Sequence, residues 1–307
     1  MMRDPKPPQV LLIGATGQVG RAWQAALPQS QIVGAIGRET LDLSDPHGLE
    51  DRLRDLVRQR QPTVIVNAAA YTAVDRAEDE EQLADAVNVA APGVIAKVAA
   101  ASNLPLVHYS TDYVFDGHGD RPFAETDTPA PLSVYGRTKL AGERAIQAAG
   151  GPHLILRTSW VFSESGQNFL KTMLRLAQTR EELRVVDDQV GAPTPASLLV
   201  QVPMQMMAQL QSVNDPRWGL YHVCPSGEIS WYGYARYVIE QARALGWPIR
   251  VQARSILAVA STEFPVKATR PKNSRLSTSK LRKAFGITLP TWQQGVDEVL
   301  RLLERHA

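Results

Sequence analysis

The first half of the chain alternates short apolar runs with stretches in which apolar residues recur every three or four positions. The apolar runs are typical of strands buried on both faces of a sheet, and the periodic stretches are typical of helices with one buried face. Strands are predicted at 10–13, 32–36, 63–66, 105–109 and 154–157, and helices at 18–27, 45–59, 80–101 and 133–149. Asp45 and Pro46 are expected to begin the second helix. This order predicts an α/β fold with a Rossmann-like, doubly wound parallel sheet.

The pattern becomes less regular after about residue 160. Helices are expected at 169–178, 197–210, 231–245 and 292–305, with short strands near 183–186 and 220–223. We therefore expect a Rossmann domain over residues 1–160, with its sheet completed by segments within about 180–225. A smaller, mixed α/β domain is expected over residues 161–307.

Composition and charge narrow the class of protein. The 307 residues are 44% hydrophobic, and 33 basic against 31 acidic residues give a net charge of +2. The charges form no basic stripe, so nucleic acid is not an expected partner. No run of about 18 consecutive apolar residues predicts a membrane span. The single Cys224 cannot form an internal disulfide and the six histidines lack metal-ligand spacing, which favours a cytoplasmic protein without a catalytic metal.

A glycine motif connects the first predicted strand to the first predicted helix. Gly14, Gly17 and Gly20 have the spacing G-x-x-G-x-x-G. Such glycines allow a tight turn, close approach of the backbone to a pyrophosphate and close packing of helix on strand. The free amides at the start of the helix then favour phosphate groups. The motif predicts a dinucleotide site.

The end of the second predicted strand leaves the choice of dinucleotide open. A dinucleotide-binding fold usually has an acidic residue about 20 residues after the glycines, where it binds the adenosine ribose. Here Arg38 could pair with a 2′-phosphate, whereas Glu39 could accept a hydrogen bond from a free ribose hydroxyl. Both could also be solvated loop charges. We expect NADPH or NADH, with a slight preference for NADPH.

Tyr135 and Lys139 are four residues apart and fall on one face of the fourth predicted helix. An ammonium group beside a phenol is expected to lower the pKa of the phenol and make it a usable acid or base near neutral pH. Thr111 and Asp112 follow the fourth predicted strand, at the edge of the sheet where ligands bind. These residues predict a catalytic site, although a hydroxyl at a strand end is commonly only a turn former.

Longer segments carry a resemblance to a known family. They are 110–117, 134–143, 157–161, 188–194 and 270–276. With the motifs above, they resemble the extended short-chain dehydrogenase/reductases, and among these the family of dTDP-4-dehydrorhamnose reductases. The resemblance covers the chain after residue 8. It implies NAD(P)H-dependent reduction of the C4 ketone of dTDP-4-dehydro-β-L-rhamnose, the last step of dTDP-L-rhamnose synthesis, with a substrate-binding role for residues 161–307.

The resemblance also implies roles for single residues. Tyr135 would protonate the developing alkoxide, Lys139 would hold the nicotinamide ribose, and Thr111 would act beside them. Together with the motifs, it assigns the cofactor to Gly14, Gly17, Gln18, Val19, Gly20, Arg38, Asp42, Leu43, Ala70, Tyr71, Thr72, Tyr135 and Lys139. The sugar nucleotide would contact Thr111, Asp112, Trp160 and Arg270, the last through its diphosphate.

The sequence departs from the family pattern at several positions, and two alternative functions remain open. Residue 71 is Tyr where many relatives carry His. Some relatives dimerise through Mg²⁺ held by helix carboxylates, but the matching positions are Ala22 and Ser197, which puts such a dimer in doubt. The chain is expected to be a monomer or a homodimer. The alternatives are an NADP-binding regulatory subunit of a methionine adenosyltransferase and another nucleotide-sugar reductase or epimerase; the presence of Thr111, Tyr135 and Lys139 favours the reductase.

Overall fold

The centre of the fold is a parallel sheet. In this computed structural model, residues 7–210, 212–264 and 266–305 are described. The strands are β1 Val10–Ile13, β2 Ile32–Ile36, β3 Val64–Asn67, β4 Leu106–Thr111, β5 His153–Thr158, β6 Val161–Phe162, β7 Leu183–Val186, β8 Val190–Gly191, β9 Thr194–Pro195, β10 Gly219–His222, β11 Ile229–Ser230 and β12 Ile256–Val259. The main sheet has the strand order β10, β5, β4, β3, β1, β2, and each neighbouring pair is parallel.

Helices cover both faces of this sheet. They are α1 Gln18–Ala26, α2 Leu49–Arg60, α3 Val74–Ala77, α4 Glu81–Asp85, α5 Ala91–Ala101, α6 Val134–Ala148, α7 Phe169–Thr179, α8 Leu198–Gln209, α9 Trp231–Ala244, α10 Ser279–Phe285 and α11 Trp292–Glu304. The ends of the predicted helices agree with the structure within one residue except at the start of α2, when α4, the segment Ala86–Ala90 and α5 are taken together as the helix predicted at 80–101; α3 and α10 were not predicted.

The apolar runs of the strands are continuous because both faces of the sheet are buried. Val10 and Leu12 of β1 pack into one core with α1 and α8, whereas Leu11 and Ile13 pack into a second core with α2 and α5. Side chains alternate between the faces of a strand, so a strand covered on both sides needs apolar residues at every position. The predicted Rossmann-like α/β fold is confirmed.

The later part of the chain contributes to the main sheet and also forms a separate layer. The strand predicted near 220–223 is β10, which joins the edge of the main sheet beside β5. The strand predicted at 183–186 is β7, which pairs instead with β12. Helices α7, α9 and α11 supply the apolar residues around this second layer. The division into two domains at residue 160 stays a prediction.

The prediction that Asp45 begins α2 is wrong. The helix begins at Leu49, and Gly48 precedes it with a φ of 66°. The Asp45 carboxylate instead accepts hydrogen bonds from the amide of His47 at 2.9 Å and from Arg52 at 3.3 Å. It therefore stabilises the turn before the helix, and its side chain is not available as the N-cap.

Residues Glu81–Ala101 form one continuous helical stretch of 21 residues, in which a π-helical segment, Ala86–Ala90, joins α4 to α5. By length and composition alone this stretch could cross a membrane, but 56% of its most apolar window is buried in the fold. Such burial is typical of the core helix of a globular protein. This helical stretch is therefore only weak evidence that the chain crosses a membrane.

Candidate active site

The glycine turn after β1 is closely packed against the neighbouring loop. Gly14 has a φ of 84°, and a Cβ atom there would lie 2.5 Å from the amide nitrogen of Ala69. A Cβ atom at Gly20 would lie 2.1 Å from the carbonyl oxygen of Gly14. Neither position can hold a larger residue without moving the backbone. Gly17 precedes α1, and no side chain caps this helix, so its first amides are available for a phosphate group.

A cavity of about 260 Å³ opens at the carboxyl ends of β1 and β2. Its lining includes Gly14, Gly17, Arg38, Asp42, Leu43 and Ala70 from the predicted set, and also Leu41 and Val87, which sequence reasoning missed. The Asp42 carboxylate accepts hydrogen bonds from the hydroxyl and amide of Ser44, which lower its pKa. The close glycine turn, the uncapped helix and this mixed lining fit the adenosine and diphosphate portions of a dinucleotide.

Gln18 and Val19 are at the start of α1, but their side chains point away from the free amides. Val19 packs against the core. The Gln18 side-chain oxygen accepts hydrogen bonds from Ser163 at 3.1 Å and from Asn168 at 2.9 Å. The Gln18 side-chain oxygen thus links the glycine turn to the segment before α7, and the backbone of both residues is left for a phosphate.

Tyr71 is fixed by the π-helical segment. Its amide donates to Asn88 at 2.9 Å, and its hydroxyl donates to Glu80 at 2.5 Å. Burial and the Glu80 carboxylate raise the pKa of Tyr71. Asn88 also donates to Thr138 on α6 at 3.1 Å, so it connects the wall of the groove with the helix that carries Tyr135. Thr72 is exposed. Sequence reasoning missed Asn88, although a π-helical segment inside a helix often marks a functional site.

Lys139 is buried, with 2% of its surface exposed. Its ammonium donates to the Tyr109 carbonyl at 2.7 Å and lies 3.3 Å from Nε2 of His108, whose Nδ1 lies 3.1 Å from Asn67. Burial lowers the pKa of Lys139 to about 8, although the nearby Glu143 opposes this shift. The lysine is therefore held at the carboxyl end of β4, where its charge is sensitive to pH.

The pKa of Tyr135 moves in the direction opposite to our prediction. Burial raises it to about 12, the Asp112 carboxylate also raises it, and the Thr111 hydroxyl beside the phenol lowers it. The spacing of four residues places Lys139 on the same helix, but its ammonium is directed to Tyr109 and His108. The phenol is thus protonated at neutral pH, which suits a proton donor.

Thr111 and Asp112 end β4 as predicted and are both buried. The Thr111 hydroxyl donates to the Asp112 carboxylate at 3.0 Å. Burial raises the pKa of Asp112 to about 6, against the hydrogen bonds from Ser274 and Thr111, which lower it. Tyr135, Thr111 and Asp112 therefore form one buried polar group at the edge of the sheet, and Ser274 completes it from a segment 162 residues along the chain.

Asp75 holds Arg270 near Tyr113, whose ring packs against that of Tyr135. Its guanidinium donates to the two carboxylate oxygens of Asp75 at 3.1 and 2.5 Å, and the same carboxylate accepts from the amide of Ala268. Burial lowers the pKa of Arg270, but the hydrogen bond and charge of Asp75 together with Tyr113 outweigh burial and raise it. The Tyr113 phenol lies between Arg270 and Tyr135, with its ring 5.7 Å from that of Tyr135. Sequence reasoning missed Asp75 and Tyr113.

Trp160 follows β5 at the same edge of the sheet. Its φ is 48°, which is uncommon for a non-glycine residue and often marks a functional position. Its ring stacks on that of Trp231 with a centroid distance of 3.6 Å. Thr158, two residues earlier, pairs with Thr111 across the strands. This places Trp160 beside the polar group on the side of α9.

Within the ranges that the structure describes, no cluster of three or more His, Cys, Asp or Glu side chains could hold a metal ion. Ala22 lies within α1 and Ser197 directly precedes α8.

Comparison with known proteins identifies the family. A family model described as the RmlD substrate binding domain matches residues 8–305. A dTDP-4-dehydrorhamnose reductase from Escherichia coli K12 is 46% identical over 298 residues, covering 96% of this chain and 97% of the relative.

Two solved structures are similar over nearly the whole chain. The dTDP-4-dehydrorhamnose reductase from Bacillus anthracis, in complex with NADP, is 32% identical with a TM-score of 0.84, covering 96% of this chain and 99% of that one. The orthologue from Clostridium acetobutylicum is 33% identical with a TM-score of 0.85, at the same coverage. The resemblance carried by the sequence motifs is confirmed: the chain belongs to the family of dTDP-4-dehydrorhamnose reductases.

Proposed function

We propose that the chain reduces the C4 ketone of dTDP-4-dehydro-β-L-rhamnose with NAD(P)H and forms dTDP-L-rhamnose. The observation that carries this proposal is the protonated Tyr135 phenol beside Thr111, at the sheet edge that also carries the glycine turn. A phenol with a pKa of about 12 keeps its proton at neutral pH and can give it to an alkoxide, which is far more basic. The names of the E. coli and B. anthracis relatives support the same reaction.

The residues of the chain would handle the charge that develops on the ketone oxygen. Bound NAD(P)H supplies the hydride. Tyr135 would donate the proton, and the Thr111 hydroxyl would turn from Asp112 to donate a hydrogen bond to the oxygen. Because Thr111 is buried and Tyr135 is half-buried at the same sheet edge, the two groups would stabilise negative charge with little reorganisation of water. Lys139 would bind the nicotinamide ribose through its ammonium.

The sugar nucleotide would extend from this polar group toward α9 and the segment around Arg270. The indole face of Trp160 suits an apolar sugar face. The Arg270 guanidinium suits the diphosphate, and Asp75 holds it in a fixed orientation. The near-neutral net charge supports a small-molecule substrate without nucleic acid. We place this reaction in the cytoplasm, with the chain as a monomer or homodimer.

The test is the loss of absorbance of the reduced nicotinamide when the chain meets the ketosugar, generated in place, with NADPH and NADH in parallel. Turnover with formation of dTDP-L-rhamnose is the expected result. Demonstrated cofactor binding without turnover would overturn the proposal and favour a regulatory subunit. Release of tightly bound NAD from the purified chain, with interconversion of sugar epimers, would favour an epimerase.

Arg38→Ala is expected to raise the Kd of NADPH about tenfold and to change the Kd of NADH less than about twofold. Arg38 is exposed in the wall of the groove and forms no hydrogen bond with the residues described, so its guanidinium is available for a 2′-phosphate. Fluorescence titration of both cofactors measures the effect, with Glu39→Gln as the companion variant. If Glu39→Gln weakens NADH and Arg38→Ala affects neither cofactor, the ribose-binding alternative is correct.

Arg270→Lys is expected to raise the KM for the sugar nucleotide about tenfold while kcat changes less than about threefold. Lysine keeps the charge but loses the planar fork that binds a diphosphate and Asp75 at once. Steady-state kinetics with varied sugar nucleotide measure the two constants. Arg275→Lys is the matched control, since Arg275 pairs with Glu228 in the same segment. An equal effect in both variants would contradict a diphosphate role for Arg270.

A further inference from the structure

A second, larger cavity lies on the side of α6 away from Tyr135. Its volume is about 920 Å³, which is within the range of small-molecule sites. It is open to solvent and is lined by residues of α6, α10, the strands β5 and β10, and the segment 124–129. It shares no lining residue with the dinucleotide groove. None of the functions proposed above uses this space.

The lining of this cavity carries more positive than negative charge. Its cations are Arg144, Arg157, Lys280 and Lys283, and its carboxylates are Glu125 and Glu143. Glu143 is neutralised by Arg157, which donates to it through two nitrogens at 2.9 and 2.6 Å. Glu125 accepts a hydrogen bond from the amide of His222 at 2.9 Å. Positive charge is therefore left over for an anion.

Arg157, in the wall of the cavity, is only 3% exposed, and one of its guanidinium nitrogens lacks a partner. Its Nε and Nη2 are taken by Glu143, while Nη1 makes no hydrogen bond with the described part of the chain. Buried donors are nearly always satisfied, and a charged one gains most from an anionic oxygen or an ordered water. Nη1 is itself shielded from solvent, so Arg157 contributes its positive charge to the wall of the cavity and not an exposed donor.

The other three cations line the same cavity. Lys280 donates to the Leu220 carbonyl at 2.7 Å. Burial lowers its pKa; the Arg157 charge adds to this shift, and Glu125 opposes it. Arg144 and Lys283 are exposed on α6 and α10, and neither forms a hydrogen bond or ion pair with a residue that the structure describes. An anion in the cavity would relieve the repulsion between Lys280 and Arg157.

We propose that this cavity binds a phosphorylated small molecule separately from the reductase site. Phosphate oxygens match the cations from α6, β5 and α10, which approach from different sides. The apolar residues Pro129, Leu140, Leu220 and Ala284 offer a wall for the organic part of such a molecule. A nucleotide has both parts, and the volume accommodates one.

The test is equilibrium dialysis of ADP against the full chain saturated with NADPH, so that the dinucleotide groove is filled. The double variant Arg144→Glu with Lys283→Glu reverses two cavity charges, both on exposed side chains. The matched control is Arg137→Glu with Arg282→Glu, which makes the same change on the same two helices outside the cavity lining. The cavity variant is expected to weaken this binding at least about tenfold, and the control less than about twofold.

Other outcomes overturn the proposal. Absence of ADP binding to the NADPH-saturated chain would do so, as would equal weakening in both double variants, which would indicate only long-range attraction. Binding of adenosine as tightly as ADP would show that the phosphates are not recognised. The Kd of NADPH and the unfolding temperature of each variant are measured alongside. Both are expected to match those of the unsubstituted chain in the cavity variant, because Arg144 and Lys283 are exposed and unpaired among the described residues. The control variant is expected to keep the Kd of NADPH and to unfold at a slightly lower temperature, because Arg137 pairs with Glu81 and Arg282 donates to Ser279.

Discussion

Tyr135→Phe is expected to lower kcat at least about 100-fold while the Kd of the cofactor changes less than about twofold. The substitution removes the phenolic proton and keeps the ring, which packs edge-on against Tyr113. General acid catalysis typically contributes a factor of about 10² to 10⁴, so loss of the proton donor should affect the chemical step. Single-turnover kinetics with saturating ketosugar separate this step from binding and product release.

The control for this variant is Tyr237→Phe, a tyrosine on α9 whose hydroxyl donates to Asp297 and whose ring packs on Trp292, both on α11. We expect its kcat to stay within about twofold. Unchanged kcat in Tyr135→Phe would reject Tyr135 as the acid.

The pKa values also predict which group changes its charge as the pH rises. With a pKa of about 12, the Tyr135 phenol keeps its proton up to pH 9. A decline in cofactor affinity that begins near pH 8 is therefore expected from deprotonation of Lys139, whose pKa is about 8.

The centre of the main sheet could be predicted because its strands are buried on both faces. The strands β1 and β3 are buried throughout and apolar at nearly every position, and a helical period follows each of the first four strands. The strands β6, β8, β9 and β11 contain two residues each, which is too short for any periodicity. The partner of β7 could not be predicted either, since β12 lies 70 residues later in a segment with two exposed positions.

The local parts of the candidate site could also be predicted from the sequence. The glycine turn and the pair Tyr135 and Lys139 depend on spacing within one turn or one helix. The residues that were missed act across long separations: Asn88 reaches Tyr71 and Thr138, and Asp75 reaches Arg270. Such pairings depend on the packing of distant elements, which no local pattern records.

The direction of the Tyr135 pKa shift was wrong for a related reason. Spacing on a helix shows which side chains are neighbours, but it does not show where a flexible side chain ends. Lys139 has a carbonyl acceptor on β4 at 2.7 Å, and burial is the largest influence on the phenol. Burial follows from the packing of α6 on the sheet, so the shift could be assigned only once the fold was known.

Asp112→Asn is expected to increase the free energy of unfolding by about 1 to 3 kcal/mol at pH 8 and to change it little at pH 4. Burial raises the pKa of Asp112 from about 4 to about 6, so the folded chain binds this proton more tightly than the unfolded chain. The stability that depends on Asp112 is therefore fully present below pH 4 and is lost as the pH rises through 6. Asparagine stays neutral and avoids this loss.

Denaturant unfolding of both proteins at pH 4, 6 and 8 measures the difference, which should grow with pH. Asparagine keeps an oxygen that can accept from Thr111, and its amide replaces Oδ2, which is buried and makes no hydrogen bond with the described residues. Asp127→Asn is the control of opposite sign, because Arg121 and the amide of Ala124 lower the pKa of Asp127 to about 2. That variant should lose stability at neutral pH. If Asp112→Asn also lost stability at pH 8, the charged Asp112 carboxylate would stabilise the fold. The conclusion that burial makes this charge unfavourable would then be wrong.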